Sequence, residues 1–287
     1  MLRRISLIAF LLTLPVLAQR GGGKGGGQAI QPIQQIKPGL YLVAGAGANS
    51  LVRVTNDGVI LMDAKLPGDQ NYTGLMEQIK SVTDKPVKYL IVTHHHADHT
   101  GNNAKFTEAG VPIVAQENLK KNLESYNFNP RPGAPSILYD KDYAIHLGGA
   151  EVQVHHYGRS HTSGDSVVYY PDLKVVAVSD AVTTSPGPGP LVDYAGGGSA
   201  IEWQHVLDSI LKLDFDTCVP GAGPLLTKAD VQTFKTKFDT MISRAKELVR
   251  NGVAKDQLLM QLKTDDLGWT PRIPDAGAFY DEISNAK

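Results

Sequence analysis

Between residues 93 and 101 the chain reads Thr-His-His-His-Ala-Asp-His-Thr-Gly, which places four histidines and an aspartate within six consecutive positions. Imidazole is the commonest metal ligand, and a neighbouring carboxylate extends the donor set in the direction Zn²⁺ accepts. A short segment of this kind can serve two adjacent metals, with His94 and His96 turned to one side and Asp98 and His99 to the other. The chemistry to expect is hydrolysis by water that a metal has acidified. Further ligands must be histidines or carboxylates, because a single cysteine, Cys218, excludes both an internal disulfide and a Cys-based zinc cluster. No Gly-x-Ser-x-Gly elbow offers a serine nucleophile instead.

The histidines need a rigid base, and the residues before them supply one. Val87 to Val92 (Val-Lys-Tyr-Leu-Ile-Val) is a mostly apolar run, the pattern of a buried strand, and it leads straight into Thr93 and His94. Adventitious histidine tracts sit in polar tails, not at the end of such a run. Upstream, Leu40 to Ala44, Ser50 to Val54 and Val59 to Met62 read as strands, with Asn56-Asp57-Gly58 as the turn between the last two. From Asn71 to Val82, the apolar positions Leu75, Met76, Ile79 and Val82 fall at helical spacing. A strand, a helix and a strand in that order predict a parallel pairing.

A second set of strands is expected near Ile113 to Ala115, Tyr143 to His146, Glu151 to His155, Ser166 to Tyr170 and Val175 to Ser179. It is followed by a helix from Ala200 to Leu213, a strand at Thr217 to Pro220, and a long helix from the Thr227 to Asp230 capping box to Asn251-Gly252. The two halves, roughly 38–130 and 140–287, each run from strands to helices, which fits two packed sheets with helices outside. The Pro- and Gly-rich segment Asn129 to Gly133 is the expected join or surface loop.

The N-terminus carries a different signal. Arg3 and Arg4 precede the apolar run Ile5 to Ala18, and Val16-Leu17-Ala18 offers small residues for signal peptidase, so residues 1–18 are expected to be a signal peptide. The run is too short for a membrane anchor, and no cysteine follows Ala18 to take a lipid. The expected location is therefore periplasmic or secreted. Residues 19–37, which hold six glycines between Gly21 and Gly27, read as a flexible segment, with the folded domain over 38–287. Lys+Arg 28 against Asp+Glu 29 gives a net charge of −1, and with 42% apolar residues this describes a core-forming domain without the basic excess of a nucleic-acid binder. The expected partner is a small molecule; oligomeric state is not legible in the sequence.

His94-x-His96-x-Asp98-His99 resembles the signature of the metallo-β-lactamase fold superfamily. His161, in Gly158-Arg159-Ser160-His161-Thr162-Ser163-Gly164-Asp165, matches that family's His-Thr-x-Gly loop. Asp180 matches the carboxylate that bridges two metals in its hydrolase branches, and Asp63 its first-motif aspartate, which supports the histidine loop. The resemblance implies an α/β fold, an αββα sandwich of two mixed β-sheets with helices on the outer faces and the site at one rim. It implies a first zinc site of His94, His96 and His161, and a second of Asp98, His99 and a shared Asp180. Asp98 and Asp180 would orient the attacking water. Asp193 and Tyr194, before Gly196 to Gly198, resemble a pocket-mouth loop of some exported members and are expected substrate contacts.

One motif departs from the pattern. Where the family has Pro-Gly-His-Gly, this chain has Pro220-Gly221-Ala222-Gly223, and no histidine follows His205. One zinc is therefore expected to bind tightly and a second weakly or not at all. The reading is a secreted zinc-dependent hydrolase of a small ester, lactone, thioester or amide, β-lactams included. Two rivals stand beside it: a mononuclear Fe²⁺ persulfide dioxygenase using His94, His161 and Asp180, and a non-catalytic zinc-binding member. His95 is expected to face away from the site, His146, His155, His156 and His205 to be structural, and Cys218 to be a buried core thiol.

Overall fold

The computed structural model describes residues 29–125, 131–183, 189–270 and 272–286. The expected signal peptide, the glycine run and part of the expected join at 129–133 lie outside the described residues.

The chain begins with β1 (Gln34–Lys37), β2 (Leu40–Val43), β3 (Ser50–Val54) and β4 (Val59–Met62), followed by α1 (Asp69–Lys80) and β5 (Val87–Ile91). Two short helices, α2 (Ala97–Thr100) and α3 (Asn103–Glu108), precede β6 (Ile113–Gln116), α4 (Glu117–Ser125) and β7 (Ile137–Tyr139). Then come β8 (Asp142–Leu147), β9 (Ala150–His155), β10 (Val167–Tyr170) and β11 (Val175–Ser179). The last part holds α5 (Ala200–Lys212), β12 (Thr217–Pro220), α6 (Lys228–Arg250), α7 (Leu258–Gln261) and α8 (Ala276–Asn285).

β1 to β7 form one sheet in chain order, antiparallel up to β4 and parallel from β4 to β7. The second sheet runs β12-β11-β10-β9-β8, with β11 and β12 parallel and the other pairs antiparallel. Both sheets are mixed, and strand periodicity divides each between two cores. Along β3 to β5, Leu51, Ile60, Met62 and Ile91 enter the core between the sheets, while Val52, Leu61 and Leu90 face the core under α1, α3 and α4. Along β11 and β12, Val175, Ala177 and Val219 point to the inter-sheet core, and Val176, Val178 and Cys218 point to the one under α5, α6 and α8. Successive side chains leave a strand on opposite faces, so strands buried on both sides read as continuous apolar runs. Three cores between four layers make the αββα sandwich.

The folded body starts earlier than the boundary at 38. β1 pairs with β2, and before it Gln31 donates its N–H to Ala44 O at 2.9 Å and Ile33 donates to Gln78 Oε1 at 2.8 Å. Residues 29–37 are thus held by hydrogen bonds to the sheet and to α1. The expected capping box is present, with Thr227 and Asp230 bonded reciprocally.

Candidate metal centre

The chemistry-bearing residues gather at the carboxyl ends of four strands. Asp63 directly follows β4, β5 leads through Val92 and Thr93 to His94, Asp180 directly follows β11, and Gly221 directly follows β12. β4 pairs in parallel with β5, and β11 with β12, so each pair delivers its two ends to the same rim. His161 comes from the loop between β9 and β10. The segment after His96 is α2, which puts Asp98 and His99 in a helical turn.

His94 Nε2 lies 3.1 Å from His96 Nδ1, which lies 2.9 Å from His161 Nε2. Each ring's other nitrogen already has an acceptor. His96 Nε2 donates to Asp193 Oδ2 at 2.8 Å, His161 Nδ1 to the Leu191 carbonyl at 2.7 Å, and His94 Nδ1 faces Ser179 Oγ at 3.3 Å. Once those nitrogens carry the protons, three lone pairs face one another, an arrangement that a bound cation would relieve. Tetrahedral zinc with bonds of about 2.0–2.1 Å needs nitrogens about 3.3 Å apart. The three-histidine group therefore fits such an ion.

Behind the histidines stands Asp63, fully buried and left-handed at φ 59°, a conformation that costs an ordinary residue about 1–2 kcal/mol. It accepts from the Thr93 N–H at 2.9 Å, the Thr93 hydroxyl at 2.8 Å and His99 Nδ1 at 2.7 Å. Ser179, also left-handed at φ 48°, lies 2.8 Å from the Thr93 hydroxyl. Its neighbour Asp180 puts Oδ1 3.6 Å from His99 Nε2 and Oδ2 3.6 Å from His161 Nε2. One carboxylate thus straddles the two histidine sets. A Cβ on Gly221 would lie 1.9 Å from that Oδ1, so the residue after β12 must be glycine for Asp180 to hold this position.

His99 Nε2 is buried without a hydrogen-bond partner, and its nearest oxygens are Asp98 Oδ2 at 3.5 Å and Asp180 Oδ1. An orphaned ring nitrogen flanked by two carboxylates is the mark of a second cation position. His94, His99 and Asp180 also form a group able to hold a metal. Burial opposes charge on His99, yet Asp63 and Asp98 push its imidazole well above the ordinary range. Burial likewise opposes charge on Asp98, but His99 beside it holds that carboxyl well below its usual value. His94 is held well below the ordinary range by burial and by the surrounding imidazoles. It is therefore neutral at pH 7.

The structure brings His94, His96, His161, Asp98, His99 and Asp180 to one rim, and it relocates the other expected site residues. The Tyr194 hydroxyl donates to Glu282 Oε2 at 2.6 Å, and its partly buried ring packs against the core under α5 and α6. Asp193 is the hydrogen-bond acceptor for His96. His95 does not turn away; it is buried, with Nε2 3.6 Å from Asp193 Oδ2, and burial and His96 push its pKa down to about 3. His155 pairs with Asp142 at 2.6 Å, and His156 holds the Asp165 carbonyl at 2.8 Å, so neither reaches the site. Thr93 and Ser179 were the legible omissions, each a polar residue closing an apolar strand. Asp193's role had no sequence signal.

Asn49 also escaped the sequence reading. Its N–H donates to Gly221 O at 2.7 Å, and its side-chain amide to Pro220 O and Gly223 O at 3.0 Å each. These bonds fix the turn that carries Ala222. A cavity of about 230 Å³ lined by Thr183, Pro224, Leu226 and Trp269, among others, opens close in sequence to Asp180 and Ala222. A larger groove of about 410 Å³ between α1 and the start of β5 contains none of the site residues.

The family model described as the metallo-beta-lactamase superfamily matches residues 43–222. The chain is 26% identical over 172 residues to the 2,4-dinitroanisole O-demethylase subunit alpha of Nocardioides sp. (strain JS1661), covering 60% of this chain and 51% of that protein. It is 33% identical over 133 residues to metallo-beta-lactamase IND-1 of Chryseobacterium indologenes, covering 45% and 52%. The match thus spans about half the length of each of these relatives. Among solved structures, a metallo-beta-lactamase from Pontibacter korlensis superposes with a TM-score of 0.64 at 20% identity, covering 73% of this chain and 99% of that one. That likeness is one of fold.

Proposed function

Because this chain belongs to the metallo-β-lactamase superfamily, a family of metal-dependent hydrolases, we propose that it is a zinc-dependent hydrolase of a small ester, lactone, thioester or amide, β-lactams included. The observation that carries this reading is the set of four imidazoles whose outer nitrogens are hydrogen-bonded while their inner nitrogens converge on either side of Asp180.

Zinc bound there would supply Lewis acidity and a water acidified to a pKa of about 7. His94, His96 and His161 would hold the first ion, and His99, Asp98 and Asp180 would hold a second, weaker one. Asp98 is an anion at neutral pH and its side chain is 39% exposed, so it can accept a hydrogen bond from the attacking water and orient it. Asp180, with one oxygen 3.6 Å from His99 Nε2 and the other 3.6 Å from His161 Nε2, would serve both positions. Asp193 and Asp63 orient the His96 and His99 rings by holding a proton at His96 Nε2 and at His99 Nδ1. The proposal includes export, on the leader-like residues 1–18; among the described residues no helix is long and apolar enough to cross a membrane.

Elemental analysis of the purified protein, with turnover on a panel of chromogenic esters, thioesters, lactones and a β-lactam, tests this reading. About one tightly held zinc and metal-dependent turnover of at least one substrate class are expected. Bound iron with oxygen consumption on a persulfide would replace it with the dioxygenase reading. Zinc without turnover would leave a non-catalytic binding protein.

A further inference from the structure

The first three-histidine site depends on Asp193, and Asp193 sits on a loop whose far end is held by the last helix. Glu282 of α8 accepts the Tyr194 hydroxyl at 2.6 Å and the Ala200 N–H at 2.9 Å on one oxygen, and the Ser199 hydroxyl on the other. Ser199 is the N-cap of α5, its oxygen accepting from the Glu202 N–H at 3.0 Å. The glutamate therefore places a negative charge at the amino end of a 13-residue helix while clamping both ends of residues 194–200.

Between those clamps the loop closes on itself and on the His161 loop. Gly198 N–H donates to Asp193 O at 2.7 Å, and Gly196 N–H to Asp193 Oδ1 at 3.0 Å. Asp193 N–H donates to His161 O, and Ser199 N–H to Ser160 O, both at 3.0 Å. A Cβ at Gly196 would lie 2.5 Å from both Asp193 Oδ2 and His95, so a glycine is needed there for the carboxylate to keep this seat. The remaining oxygen of Asp193 is the one on His96. A continuous, hydrogen-bonded path runs from Glu282 to the ring whose Nδ1 faces the metal position.

We propose that Glu282 is a positioning residue for the metal centre: through Tyr194 and the 193–200 loop it holds the Asp193 carboxylate against His96 and so sets the affinity of the three-histidine site. The inference rests on the metal reading above. It also gives α8, which lies beyond the 43–222 span of the family match, a part in the site.

The test is zinc affinity by chelator competition on the full chain, read beside the melting temperature of the metal-free protein. Asp193→Ala removes the partner of a ligating histidine and is expected to weaken zinc by about 10–100-fold. Glu282→Ala acts one step further out and is expected to cost about 3–10-fold, with no further loss when combined with Asp193→Ala, because both act along one path. Glu282→Gln keeps an oxygen for Tyr194 and Ala200 while its amide donates to Ser199, so it should stay within about twofold of wild type. If Glu282→Ala does not fold, Tyr194→Phe carries the test, with an expected loss of about 2–5-fold. A lowered melting temperature with unchanged zinc affinity, or additive losses in the double variant, would overturn the proposal.

A metal-free readout separates this inference from the functional reading. In the apoprotein the His96 Nε2 proton should give a slowly exchanging NMR signal that Glu282→Ala broadens or loses. Wild type that shows this dependence yet binds no zinc would sink the hydrolase proposal and leave the Glu282 path standing; a signal indifferent to Glu282 would sink the path.

Discussion

Replacing Ala222 by histidine tests the reading of the second metal position most directly. The turn that carries residue 222 is fixed on three sides: Gly221 N–H donates to Ser179 O at 2.7 Å, Gly221 O accepts from Asn49 N–H, and Asn49's amide holds Pro220 O and Gly223 O. Ala222 is exposed and its backbone is not left-handed, so an imidazole can be added without clash or strain. The Cβ position of Gly221 touches Asp180 Oδ1, which lies 3.6 Å from the orphaned His99 Nε2. Residue 222 starts about 3.8 Å further along the chain, within an imidazole's reach of that nitrogen's ligand space. His99, Asp98 and the shared Asp180 would then gain a neutral nitrogen donor. Loss of even an outer partner of a metal ligand costs about 10–100-fold in affinity, so a direct ligand should contribute at least as much, about 1.4–2.7 kcal/mol. Ordering one histidine side chain returns about 1 kcal/mol or less of that gain. The assay is a zinc titration of wild-type and Ala222→His apoproteins under chelator competition, read as stoichiometry and second-site affinity. A rise toward two equivalents with a second site tightened severalfold or more is expected. Identical stoichiometry and affinity would mean that the turn does not face His99, and the account of a weakened second site would fall with it.

His96→Ala should abolish turnover and tight zinc binding while shifting the melting temperature by a few degrees at most, because His96 lies at the rim, 17% exposed, and not in the three cores; calorimetry and metal analysis check both halves. Gly221→Ala should lower zinc affinity by about tenfold or more, since the new methyl lies 1.9 Å from Asp180 Oδ1 and must displace it; unchanged affinity in a folded variant would contradict the straddling role of Asp180. Lys65 is buried, with Nζ donating to Val43 O and Ala48 O at 2.5 and 2.6 Å, and burial lowers its pKa to about 7 despite the nearby Asp63. The unfolded chain therefore binds more protons between about pH 7 and 10.5, and this residue's contribution makes stability rise through that window, by on the order of 2–4 kcal/mol. Denaturant midpoints at pH 6.5 and 9.5 should show that rise in wild type and a flatter profile in Lys65→Met; parallel profiles would refute it.

Much of this molecule was legible in its sequence because the informative signals are local. The run Val87 to Val92 before Thr93 and His94, the alternation that deals Leu51 and Val52 to opposite cores, and the Thr227 to Asp230 cap depend on residues a few positions apart. His94 and Asp180 were legible for the same reason, since each closely follows a strand whose apolar pattern fixes where it ends, whereas His161, in the loop between β9 and β10, came with the family resemblance. The layering into two mixed sheets with helices outside came with the family resemblance, while the order of the strands did not; the substitution of Ala222 for a histidine stands in the sequence without any structure.

What only the tertiary structure decided is which groups face the histidines from behind. Asp193 and His96 are 97 residues apart, and Tyr194 and Glu282 are 88 apart, so no local period links them. Strand periodicity says on which face a side chain leaves its strand; it does not say which loop from elsewhere in the chain crosses that face. The sequence therefore determined the metal-ligand chemistry, from residue types at strand ends. The fold decided each ring's tautomer and support, because those depend on hydrogen bonds between loops that meet only when the two sheets are packed.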